Sequence, residues 1–106
     1  MILVALALAM VAPNPATLDA PRKAYAACLK SFERKSIAAN VPVADYEAAL
    51  QTACPDEAGA LQRALVAYDV AMGTKRAKAE ENAKLDLDDY RLTAQDRYAD
   101  AMSVPK

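Results

Sequence analysis

Residues 25–54 read YAACLKSFERKSIAANVPVADYEAALQTAC, and the fold turns on this stretch. Tyr25, Cys28, Leu29 and Phe32 recur at i, i+3, i+4 and i+7, and Ser36 and Ala39 continue the line. That spacing marks one face of a helix. Pro21, just upstream, suits its first turn, where the fixed φ is already helical and the missing N–H has no partner to lose. Asn40-Val41-Pro42 ends the pattern, because the residue before a proline is pushed out of the helical region. From Val43 a second stripe, Val43, Tyr46, Leu50, Ala53 and Cys54, resumes at helical spacing.

Folding these two helices back about Val41 sets Cys28 opposite Cys54, Phe32 opposite Leu50 and Ser36 opposite Tyr46. Each cysteine lies 13 residues from the turn, on the apolar stripe of its own helix. Packed helices lie about 8–10 Å apart axis to axis, and inward-facing cysteines there can reach disulfide geometry. A Cys28–Cys54 bond is expected, contributing about 3–4 kcal/mol by the chain-entropy model. With no C-x-x-C and nothing to depress either thiol pKa, its role is structural rather than redox.

Upstream, Ile2–Ala12 reads ILVALALAMVA, eleven apolar residues without a charge. A membrane-spanning helix needs about 20, so this run has the length of a signal-peptide core. No Lys or Arg precedes it, leaving the Met1 amino group as the only positive charge ahead of it. Cleavage after Asn14-Pro15-Ala16 divides the chain into a signal peptide, 1–16, and a single small domain, 17–106. The first cysteine, Cys28, lies too far from the apolar run to carry a lipid. The expected product is periplasmic or secreted, with no stable membrane anchor after cleavage. An oxidising compartment suits the disulfide.

Downstream, Pro55-Asp56-Glu57 has the form of a helix start, proline first and then two acids at the positive end of the dipole. Ala58, Leu61, Leu65, Tyr68 and Met72 form the next stripe, and Ala79, Ala83, Leu87, Tyr90, Ala94, Tyr98 and Ala101 hold the same phase beyond Gly73-Thr74. Read as one helix, Asp56–Met102 would extend about 70 Å, against about 27 Å for the first helix. Its second half must protrude, pack on another chain, or bend back at Gly73. The expected class is all-α: a disulfide-stapled hairpin plus a long C-terminal helix, making three helices, or four with the bend.

Composition narrows the function by exclusion. The 106 residues include 26 Ala and no His, with 13 basic against 14 acidic side chains. Without His, Ser-His-Asp, Cys-His and His-metal chemistry is excluded, and a net charge near zero excludes nucleic-acid binding by bulk charge. Asp86, Asp88 and Asp89 follow the first ligand positions of a calcium loop but lack its glycine and its final glutamate. On a helix Asp86 and Asp89 share a face while Asp88 points elsewhere, so the cluster reads as solvated surface. The run Lys75-Arg76-Ala77-Lys78 is neutralised within a turn by Glu80 and Glu81.

Leu87, Tyr90, Ala94 and Tyr98 are the candidate functional residues. They lie beyond the reach of the hairpin, and tyrosine is enriched at interfaces, although an Ala-rich helix face is equally suited to packing within its own chain. The function expected is a non-catalytic envelope interaction module that binds an unknown protein partner, or itself, through the outer half of the long helix, with no cofactor and no metal. Cys54, Leu61, Leu65 and Tyr68 in an Ala-rich helix also resemble the LprI-type lysozyme inhibitors, which are small, exported, helical and disulfide-bonded. The resemblance covers about fifteen residues, with a shorter Leu-to-Tyr spacing and without that family's acidic residue after the second Leu. It implies an alternative role, inhibition of an extracytoplasmic enzyme.

Overall fold

The computed structural model describes residues 13–103. The apolar run Ile2–Ala12, and with it most of the expected signal peptide, lies outside the described residues. A 3-10 turn, Pro15–Leu18, opens the described chain, the Ala16 N–H donating to the Asn14 side chain. Four helices follow: α1 (Asp19–Ala38), α2 (Val43–Leu50), α3 (Pro55–Ala71) and α4 (Arg76–Ser103). Pro21 lies in the first turn of α1 and Pro55 opens α3, with Asp56 and Glu57 beside it.

Two of the three connections share one device. After α1, Asn40 adopts φ 56°, its N–H donating to the Ile37 carbonyl and that of Val41 to Ser36. After α3, Gly73 adopts φ 99°, its N–H donating to Val70 and that of Thr74 to Asp69. Both are Schellman endings, in which a left-handed residue reverses the chain and satisfies the last carbonyls. The long C-terminal helix is therefore two helices. Gly73 is where it folds back.

The second helix is shorter than its spacing suggests. α2 stops at Leu50, so Cys54 is not on its stripe but caps α3 in the left-handed region, φ 56°. The cause lies in the next residue: Pro55 drives Cys54 out of the right-handed helical region. The bond still forms, Cys28 to Cys54 with Cα atoms 6.1 Å apart. Phe32 stacks on Tyr46 at 5.3 Å between ring centroids, where the sequence reading set Ser36 opposite Tyr46.

α4 runs parallel to α1. Arg22 bonds Asp86 and Glu33 bonds Arg97, each pair 64 residues apart, which fixes one register along the two helices. α3 runs antiparallel beside the first part of α4, tied by Asn82 to Asp69, and α2 packs over its later part. The core lies along this seam: Tyr25, Leu29, Tyr46, Leu50, Leu61, Ala79, Ala83, Leu87, Ala94 and Tyr98 are all buried. The small side chains at 79, 83 and 94 let neighbouring helices approach α4 closely.

Candidate functional site

Three of the four residues expected to meet a partner turn inward instead. Leu87, Ala94 and Tyr98 are 4%, 0% and 0% exposed, because the bend at Gly73 lays their stripe against α1, α2 and α3. Tyr98 stacks face to face on Tyr46, centroids 3.8 Å apart and 6° between planes. Its hydroxyl donates to the carbonyls of Ser36 and Val41, tying the end of α4 to the turn after α1. Burial pushes the Tyr98 phenol up, as it does those of Tyr46 and Tyr25. Leu87, Ala94 and Tyr98 are thus part of the contribution of α4 to the core.

Tyr90 is only half-buried. Its ring lies 5.4 Å from that of Tyr25, and its hydroxyl accepts from Arg22 at 3.2 Å. It borders a groove of about 280 Å³ between α1 and α4, with Ala26 and Leu29 on one wall and Asp89 and Thr93 on the other. Ion pairs close both ends. Arg22 meets Asp86 through two contacts of 2.9 and 3.3 Å, and Arg97 meets Glu33 at 2.7 Å. Asp86 first, and then Tyr90, raises the Arg22 pKa further. These charges are spent inside the chain, and the groove reads as a clamp between α1 and α4.

The outward face of α4 differs in that its one ion pair, Asp88 with Arg91, stays within the helix. Leu85 and Leu92 are 57% and 55% exposed and stand two turns apart on one line. Ala99 continues that line, while Lys84, Asp88, Arg91, Asp96 and Gln95 flank it. Arg91, at the border of this face, pairs with Asp88 of its own helix at 3.4 Å and lies close enough to the buried Tyr25 hydroxyl to offset part of the rise that burial gives its pKa, while its Nε is buried without an acceptor among the described residues. A guanidinium donates in five directions, and a donor left unmatched is costly. On either side of Arg91 lie two open clefts, one reaching Gln62 of α3 and the other Gln51 after α2.

The aspartates divide, and Asp86 is not the solvated group its spacing suggested, because it faces Arg22 of α1. Asp86 pairs with Arg22, Asp88 with Arg91, and Asp89 stays exposed. Among the described residues no group of three or more His, Cys, Asp or Glu is placed to hold a metal ion, and no helix is long and apolar enough to cross a membrane.

Sequence reasoning missed Leu85 and Leu92 because the inward stripe absorbed the whole apolar signal of α4. A signal was present: two leucines seven apart in a segment otherwise rich in charge. No family model, no curated protein and no solved structure matches this chain.

Proposed function

We propose that this chain is an exported, non-catalytic interaction module that presents the outward face of α4 to a protein partner. The observation that carries the reading is the pair Leu85 and Leu92, each more than half exposed on a helix whose third leucine, Leu87, is buried. Leaving such side chains in water forgoes about 1.5–3 kcal/mol of burial each, and a partner's apolar side chains recover it. The Cys28–Cys54 staple and the Ile2–Ala12 run support export to an oxidising compartment, where the domain would begin at Thr17. The bundle gives α4 the rigidity a binding surface needs, since a lone helix in water is marginal.

A photo-crosslinking side chain placed at Leu92 tests this in exporting cells. A covalent protein adduct is expected at 92 and none at Ala27, an exposed position on α1. Leu85→Asp in the same chain should abolish the adduct while leaving thermal stability within about 0.5 kcal/mol, as for most surface changes. No adduct at 92, or equal yields at 92 and 27, would sink the proposal.

A further inference from the structure

We infer that the occupant of this face is a second copy of the same chain, its α4 lying parallel to the first. This pairing presupposes the binding role of the outward face proposed above and supplies the partner. Leu85, Leu92 and Ala99 are spaced by seven, and Asp88, Gln95 and Met102 each follow by three. These are the a and d positions of a two-stranded helical seam. All six side chains are at least partly accessible from outside the bundle.

The flanking charges choose both the partner and its direction. Lys84 and Arg91 stand immediately before the two leucines, and Asp89 and Asp96 stand four after them. In a parallel pair, a residue before an a position faces the one five further along on the other helix. Lys84 then meets the partner's Asp89, and Arg91 meets the partner's Asp96. In an antiparallel pair the two basic positions face each other and the two acidic positions do likewise. Every flanking contact is attractive in one orientation and repulsive in the other.

Within the chain these charges lack cross-helix ion-pair partners. Among the described residues Lys84, Asp89 and Asp96 form no ion pair within 4 Å, and the only one Arg91 forms, with Asp88, lies on its own helix. The charges of α4 that face α1, Asp86 and Arg97, are both paired. The contrast separates a face completed by its own fold from one left for another chain. Asp88 at a seam position is the unfavourable layer. A polar residue there costs stability while fixing register and the number of strands. The seam spans fewer than three heptads, but α4 is already ordered by the bundle, so pairing does not bear the entropy of forming the helix.

The test is sedimentation of the full folded chain over a roughly hundredfold concentration range. A monomer–dimer equilibrium is expected. Lys84→Glu or Asp89→Lys alone should weaken the dimer about tenfold, the equivalent of 1.4 kcal/mol, by setting like charges opposite at two symmetric contacts. Together in one chain the two changes should restore it, and Asp88→Leu should tighten it. Ala99→Cys should form an interchain disulfide, because a parallel two-fold brings position 99 beside its copy. A chain that stays monomeric at every concentration overturns the inference, as does a double variant that fails to recover. A dimer in which the thiol introduced at position 99 never crosslinks overturns the parallel arrangement. If the chain is monomeric yet Leu92 crosslinks to a different protein, this inference fails while the binding role of the face stands.

Discussion

Tyr98 and Tyr46 stack ring on ring, yet their hydroxyls have opposite fates. That of Tyr98 donates to carbonyls in the turn after α1, whereas that of Tyr46 is buried with no partner. Tyr98→Phe should destabilise by about 1–2 kcal/mol, and Tyr46→Phe should cost nothing or stabilise slightly, since it removes an unmatched polar atom. Urea midpoints at unchanged slope would check both. Equal losses would show that the hydroxyl environments do not differ. These tyrosines also set an alkaline limit. Burial raises the phenol pKa values of Tyr25, Tyr46 and Tyr98 above the usual 10. Above pH 10 the unfolded chain therefore holds fewer phenolic protons than the folded one. Their contribution is full below the unfolded pKa of about 10 and is lost as pH rises toward the folded values. Phenolate absorbance from the buried set should rise together with loss of helical circular dichroism. Ionisation of Tyr25, Tyr46 and Tyr98 near pH 10 with the helices intact would contradict this.

At the scale of the element, the two glycines of the chain do opposite things. Gly73, at φ 99°, turns α3 into α4, and an added Cβ would meet nothing within 4 Å. The cost of Gly73→Ala is therefore backbone strain alone, about 1–2 kcal/mol for an L residue in that region. Gly59 sits inside α3, where a Cβ would come 3.2 Å from the flexible end of Arg63. Gly59→Ala should stabilise by up to about 1 kcal/mol through helix propensity. Thermal melts of the two variants should move in opposite directions. Much at this scale was legible in the sequence. Pro42 and Pro55 punctuate the chain, and Gly73 offered the bend, because turn chemistry is local. The end of α2 at Leu50 was missed although its signal stood in the next residues. The rule that ended α1 before Pro42 applies equally to Cys54 before Pro55, but the helical spacing of Ala53 and Cys54 concealed it.

At the scale of the whole molecule, α4 is the strut against which the other three helices pack. Truncation after Gly73 should therefore unfold the domain rather than release an intact hairpin, because Tyr25, Leu29, Tyr46 and Leu50 would lose their cover. Loss of helical circular dichroism beyond the share of α4 is the expected readout. A truncated chain that melts cooperatively would show that the hairpin folds alone. Removing the staple acts differently: it frees the unfolded chain and leaves the packing in place. What the sequence by itself determined is local. Helical periodicity, proline and glycine punctuation, and two cysteines set symmetrically about one turn specified an all-α stapled fold. Only the tertiary structure decided which face of α4 lies inside. The stripe of Leu87, Tyr90, Ala94 and Tyr98 needed cover, and periodicity cannot say whether that cover comes from the same chain or another. The direction α4 takes after Gly73 settles the choice. That direction depends on the backbone at one glycine and on the packing it permits, so the Ala-and-Tyr stripe turned inward and left Leu85 and Leu92 facing water.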